Sequence, residues 1–253
     1  MTDSPFASDT ASRRFRATRP NRIEKALTQW LTRTATVTAV EPLSPRFRLI
    51  DLQGEAFRHV AWTAGDKIQV ILGGLLTART FTPMSWDAEQ GRTRLLAWSH
   101  GEGPGSEWAT GLAPGDTCQF FGPRRSLDVG DPATPLVVFG DETSFGLAAA
   151  LAGRPGVEPP RLFFEVSEPD ECRHVLQRIG GEGGTLVQRT EDDAHLEALA
   201  LQLAALDTGA SLFVLTGRAP AIRRIVTVLK AAGVSSSRLR TKAYWAPGKV
   251  GLD

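Results

Sequence analysis

Cysteine is scarce: Cys118 and Cys172 are the only two in 253 residues. They fit neither the paired spacing of a metal site nor a disulfide framework, and read as ordinary thiols. Net charge is scarce too, since 29 Lys and Arg against 28 Asp and Glu leave +1. That balance gives no sign of a nucleic-acid partner. No stretch approaches the ~18 apolar residues of a membrane span, and the first residues lack the apolar core of a secretory signal. A cytoplasmic protein with no membrane and no nucleic-acid partner is expected. A catalytic triad, a histidine-bearing metal site and a pair of facing carboxylates are also missing from the pattern. The chemistry is therefore not expected to come from the chain's own acids and bases.

What is present is ordinary for a globular chain, with 42% hydrophobic and 23% charged residues. Charge is uneven. Residues 1–33 hold seven basic side chains against three acids. This basic head has little to bury before residue 20 and reads as mobile, with the composition of a disordered tail more than a transit peptide. One short amphipathic helix is expected over 23–31, where Ile23, Ala26, Leu27, Trp30 and Leu31 recur at helical spacing.

Residues 34–131 alternate with a period of two. TATVTAV at 34–40 is the clearest strand, and further strands are expected at 47–52, 67–72, 79–86, 93–99 and 117–121, with turn signals between them. About six such strands suggest a small antiparallel barrel, whose closure removes exposed edges. From about residue 132 the rhythm changes. Strands at 136–139, 161–166, 185–188 and 211–215 alternate with helices at 144–152, 170–179, 194–206 and 219–232, and Gly233 follows the last helix as a stop. Apolar strands alternating with amphipathic helices imply a parallel sheet covered on both faces. The fold class is a β-barrel followed by an α/β domain, with three parts at 1–33, 34–131 and 132–253, the last ending in a tail.

Three clusters have residues suited to binding. In Arg79-Thr80-Phe81-Thr82 an arginine fork can hold a pyrophosphate, an aromatic can lie against a flat ring and a hydroxyl can reach a ring nitrogen. The same tetrad could be an exposed arginine beside a core phenylalanine. The second cluster runs from His100 to Ala109 (HGEGPGSEWA). Its glycines Gly101, Gly103 and Gly105 allow close backbone approach, and Ser106 could cap a helix whose free amides attract an anion. It does not satisfy the G-x-G-x-x-G fingerprint, and a plain surface loop would look similar. The third, Gly140-Asp141-Glu142-Thr143, follows a buried strand, at the end of a parallel sheet where ligands gather. Gly217 and Arg218 would share that edge. Asp141 and Thr143 could equally be helix caps.

Taken in order, RTFT, HGEGPGSEWA, the PGD turn with FFGPR, GDETS and a closing AYWAPG resemble the siderophore-interacting protein family, a branch of the ferredoxin-reductase-like flavoproteins, over about residues 34–250. The resemblance implies an FAD-binding barrel, an NAD(P)-binding α/β domain and electron transfer from NADH or NADPH through FAD to a ferric siderophore. It places Arg79 on the FAD pyrophosphate, Phe81 beside the flavin ring and Thr82 near a ring nitrogen. His100, Gly101, Gly103, Gly105 and Ser106 cradle the diphosphate, and Trp108 supports them. Gly140, Asp141, Glu142, Thr143, Gly217 and Arg218 line the groove for the nicotinamide nucleotide or the FAD adenine. Tyr244 and Trp245 lie near the exposed flavin face. Phe81, Gly105, Arg218 and Ala246-Pro247 depart from the family pattern, and Arg218 could pair with the extra phosphate of NADPH. Arg238, Arg240, Lys242 and Lys249 form either a basic mouth for an anionic iron chelate or a solvated tail. A reductase serving a protein partner, and a flavin or siderophore binder without turnover, stand as alternatives. The siderophore, the choice of nucleotide and the oligomeric state are left open.

Overall fold

Period-two alternation builds the first sheet. The computed structural model describes residues 32–72, 77–101, 103–131, 133–206 and 209–248, so the helix expected over 23–31 and Lys249 lie outside the described residues. Strands β1 (Arg33–Pro42), β2 (Phe47–Gln53), β3 (Lys67–Ile71), β4 (Ala78–Phe81), β5 (Ser85–Asp87), β6 (Arg92–Trp98) and β7 (Thr117–Arg124) pair antiparallel in the order β4-β3-β7-β1-β2-β6-β5. A short helix, α1 (Pro104–Gly111), connects β6 to β7. Strands β4 and β5 end the hydrogen-bonded ladder, while β4 also packs against β6, so the sheet curls round its own core. Alternate side chains turn inward: Val37, Ile50, Leu52, Ile68, Val70, Leu95 and Phe120 are fully buried there, with Phe57 stacked on Phe120.

The single strand expected over 79–86 is two strands. Pro83 lacks the N–H that a ladder needs, and the chain turns there before Met84 resumes pairing by donating to the Arg94 carbonyl at 2.8 Å.

The second sheet is parallel. It comprises β8 (Leu136–Gly140), β9 (Arg161–Val166), β10 (Thr185–Gln188), β11 (Leu212–Arg218) and β12 (Leu239–Trp245), in the order β10-β9-β8-β11-β12. Helices α2 (Phe145–Ala152) and α3 (Pro169–Arg178) cover one face; α4 (His195–Ala205) and α5 (Ala219–Ala231) cover the other. This explains the unbroken apolar run of β8. Leu136 and Val138 enter the core on the α2 and α3 side, whereas Val137 and Phe139 enter the one on the α4 and α5 side. The C-terminal segment expected as a tail is in fact β12, paired parallel to β11 from Phe213↔Leu239 to Arg218↔Trp245.

The two sheets share one apolar core. Phe47 of β2 stacks on Phe145 of α2 at 5.6 Å with an interplanar angle of 6°, and Phe145 meets Phe164 of β9 edge-on at 4.8 Å. Leu49, Leu127 and Val129 join the same cluster. Cys118 and Cys172 are both free and buried, and burial raises Cys118 to about 11 and Cys172 to about 12, so neither is a reactive thiolate. Because Phe145 is fully buried at the centre of this seam, Phe145→Ala is expected to lower the unfolding free energy by about 3–5 kcal/mol in urea titrations.

Candidate functional site

The end of β4 and the start of α1 meet on the first sheet. Arg79 is half-buried, and its Nη1 donates to the Ala78 carbonyl at 2.8 Å. Its stem runs along the first turn of α1, where a Cβ on Gly105 would lie 3.4 Å from Arg79 Cγ and 3.6 Å from Nε. The turn approaching the helix requires glycine: Gly101 and Gly103 have φ of +116° and +129°, with open space where side chains would stand. Gly103, not Ser106, is the N-cap, and Pro104 opens the helix, so Ser106 stands inside the first turn. The first intrahelical acceptor is the Gly103 carbonyl, taken by Glu107 N at 3.0 Å. The amides of Gly105 and Ser106 therefore have no acceptor within the helix. Ser106 Oγ is buried and has no partner among the described residues. Phe81 lies against Trp108 with ring centroids 5.3 Å apart, and the exposed His100 sits 5.5 Å from Trp98. An arginine, two free amides at a helix N-terminus and room beside glycine fit an anionic diphosphate.

The opposite wall is the carboxyl edge of the parallel sheet. Asp141 caps the turn into α2: its carboxylate accepts from Thr143 N at 2.9 Å and from the Thr143 hydroxyl, while its backbone N–H donates to Ser144 Oγ at 3.4 Å. Trp245 Nε1 adds a further donor to Asp141 at 2.7 Å. Asp141 is fully buried, and burial pushes its carboxyl up to about 6 despite these donors. Both nearby glycines serve this turn. A Cβ on Gly140 would lie 2.3 Å from Ser144 Oγ, and one on Gly217, at φ +93°, would lie 2.6 Å from Asp141 Oδ2.

Two residues expected on a nucleotide groove are turned inward instead. Glu142 is buried and accepts from Ser167 N at 2.6 Å, Ser167 Oγ at 2.7 Å and Arg189 Nη2 at 2.8 Å. Arg218 is buried too. Its Nε and Nη2 each donate to Glu165 at 2.9 Å, and its Nη1 and Nη2 donate to Asp193 at 3.1 and 2.5 Å. A guanidinium so engaged is not presented to a nucleotide phosphate, and beside it the Asp193 carboxyl is held below its usual range. His195 Nε2 also lies 2.7 Å from Glu165 Oε2. Glu165, Asp193 and His195 lie close enough to share a metal ion, yet the Arg218 cation already fills that role. A lone acid within the apolar run of β9 was a signal for a buried cation; its partner, on β11, was not readable from the sequence.

The site residues that sequence reasoning left least defined come from β12. Burial pushes the Tyr244 hydroxyl up to about 12, against the opposing pull of the Thr82 and Thr216 side chains. Trp245 lies under the Arg189 guanidinium, 5.9 Å from its ring centroid. Arg240 and Lys242 precede these on the same edge strand, Arg240 donating to the Ser237 carbonyl at 2.7 Å. The structure thus brings Arg79 to Gly105, Phe81 to Trp108, and Asp141 to Trp245 and Gly217.

The raised Asp141 carboxyl gives a pH prediction. A proton held more tightly in the folded state means that stability falls as pH rises, here from about 4, near the ordinary value of 3.8, to about 6. Urea unfolding of the wild type should lose stability across that window relative to Asp141→Asn, in which the titration is removed. Parallel profiles would refute the assignment.

Comparison with known proteins follows this geometry. Residues 73–127, which hold β4, the glycine turn and α1, match the siderophore-interacting FAD-binding domain. No curated protein matches the chain. Among solved structures, a siderophore utilization protein from T. fusca is 23% identical with a TM-score of 0.70, covering 88% of this chain and 95% of its own. The siderophore-interacting protein SipS from Aeromonas hydrophila is 23% identical with a TM-score of 0.68, covering 87% and 93%. Phthalate dioxygenase reductase, 12% identical, reaches 0.71 over 87% of this chain and 70% of its own. Residues 73–127 thus match a siderophore-interacting FAD-binding domain, set within a two-sheet fold similar to that of these three solved structures.

Proposed function

We propose that this chain is an FAD-dependent oxidoreductase of the cytoplasm that passes electrons from NADH or NADPH to a ferric siderophore, releasing ferrous iron. Residues 34–131 would bind FAD and 132–253 the nicotinamide nucleotide. The observation that supports this most is the donor set on the matched segment: Arg79 lying along a glycine-lined helix start, with the buried Ser106 Oγ lacking a protein partner among the described residues. Bound FAD would supply the conversion between a two-electron nicotinamide donor and a one-electron ferric acceptor.

The chain's own residues then have positional roles. Arg79 and the amides of Gly105 and Ser106 hold the diphosphate, and Gly101 and Gly103 keep the approach free of side chains. Phe81, backed by Trp108, and Thr82 flank the flavin ring. The nucleotide groove follows the carboxyl edge between β8 and β11, where the strand order reverses and ligands of such sheets settle. Asp141, Thr143, Gly217 and Trp245 stand at that edge. With Arg218 engaged by Glu165 and Asp193, the extra phosphate of NADPH gains no partner from it. Arg240, Lys242 and Lys249 form a basic mouth suited to an anionic chelate.

Anaerobic titration tests the reading. Protein loaded with FAD should bleach on addition of NADH or NADPH and recover its colour when a ferric siderophore is added. Bleaching without recovery would favour a protein partner as acceptor, and no bleaching would leave a binder. Arg79→Ala removes a charge-assisted contact of about 1.5–3 kcal/mol, so the FAD Kd should rise about tenfold to a hundredfold in fluorescence titrations. Lys242→Ala should raise KM for an anionic ferric chelate and leave the flavin content intact. Unchanged kinetics would discard the basic mouth.

A further inference from the structure

We propose that the carboxyl edge over β9 and β10 selects NADH against NADPH, its exposed acids repelling the one phosphate by which the two nucleotides differ. The proposal rests on the reading of this edge as the nucleotide groove. The order β10-β9-β8-β11-β12 reverses between β8 and β11. A dinucleotide entering that crevice spreads its adenosine over the first half of the sheet, the ends of β8, β9 and β10. There an acid accepts a hydrogen bond from the free ribose 2′-hydroxyl of NADH, whereas an arginine is needed to hold the 2′-phosphate of NADPH.

The arginines of this edge are engaged elsewhere. Two cations, Arg189 and Arg218, stand against six acids at the end of β11 and in the connections 141–144, 167–168 and 189–194. Arg218 spends its fork on Glu165 and Asp193 and is only 8% exposed. Arg189 Nη2 donates to Glu142 at 2.8 Å and to the Glu165 carbonyl at 3.2 Å, and its guanidinium lies over the Trp245 ring. Glu142 and Glu165 are buried, so drawing either arginine away to a ligand phosphate would leave a buried carboxylate without its cation.

The same contacts fix the loop 189–194. Asp193, at φ +58°, is held by Arg218, and Thr190 N donates to His195 Nδ1 at 3.2 Å. Asp192 Oδ1 accepts from Ala194 N at 3.1 Å. Between these ties Glu191 and Asp192 are exposed, and Glu168 is exposed at the end of β9, the strand that pairs with β10. A phosphate arriving here therefore meets carboxylates on a rigid loop, and the cations behind them are already paired. Discrimination of this kind comes from repulsion of the wrong ligand as much as from contacts to the right one.

The experiment uses FAD-loaded protein. Calorimetry gives Kd for NAD+ and NADP+, and anaerobic mixing gives the rates of flavin bleaching by NADH and NADPH. The wild type should favour the nucleotide without the extra phosphate by about tenfold or more in both measurements. That ratio should shrink in about 1 M NaCl, where the Debye length falls to about 3 Å. Glu191→Gln/Asp192→Asn removes both charges and keeps the acceptor for Ala194 N, so the ratio should fall about threefold to tenfold. Glu191→Lys should lower it as well. Equal use of the two nucleotides, a wild-type preference for NADPH, or a ratio unmoved by these variants would overturn this proposal alone. Protein that takes up FAD and is bleached by neither nucleotide would overturn the reading of the edge as a nucleotide groove, and this proposal with it.

Discussion

The apolar seam between the two sheets fixes every distance in the site. One wall of the candidate groove belongs to an antiparallel sheet and the other to a parallel one, and neither carries the whole donor set. They are registered by Phe47 stacked on Phe145, and by Phe145 set edge-on to Phe164. Aromatic groups buried this deeply contribute about 1.5–3 kcal/mol each from burial, and a stacked ring also fixes orientation. A polar clamp rims the seam. Glu171 accepts from Ser44 Oγ and Arg46 Nε, both at 2.6 Å, and Arg46 Nη1 donates to Ser167 Oγ at 2.9 Å. Ser167 is in turn bound to Glu142. The β1–β2 turn of one sheet is thereby linked through hydrogen bonds to the carboxyl edge of the other.

That edge also had to accommodate three buried acids. Asp141, Glu142 and Glu165 are all essentially inaccessible, and a bare carboxylate there would be costly. Each solves the problem differently. Asp141 gathers neutral donors from Thr143 and Trp245 and titrates high. Glu142 takes two donors from Ser167 and one from Arg189. Glu165 takes a bidentate guanidinium from Arg218. Charge at the sheet edge is therefore largely internal and balanced. The basic side chains Arg240 and Lys242 lie on the neighbouring edge strand, β12.

The sequence made much of this legible, for reasons that differ between elements. Strands β8, β9 and β11 were visible because strands buried on both faces show as apolar runs, and β1 because it alternates. Strand β12 was missed. Its residues, LRTKAYW, carry Arg240 and Lys242 on an edge strand with no apolar run, and only the pairing with β11 makes it a strand. The break at Pro83 and the helix start at Pro104 are both signalled by proline, but strand continuity and the capping preference of serine point the other way. Inward-turned Arg218 could not be foreseen, because its partners Glu165 and Asp193 are brought to it by the sheet order rather than by the chain. The bond from Trp245 to Asp141 is of the same kind.

The placement of β12 has a consequence for how the molecule comes to be made. Synthesis proceeds from the N-terminus, and the eleven other described strands all precede the one that bears Tyr244 and Trp245. A nascent chain can thus lay down the barrel, its glycine turn and most of the parallel layer while the groove still lacks its closing edge. The last of the described strands to be made is the one that completes the candidate site, so a polypeptide halted short of it would keep most of the described architecture and lack Tyr244 and Trp245.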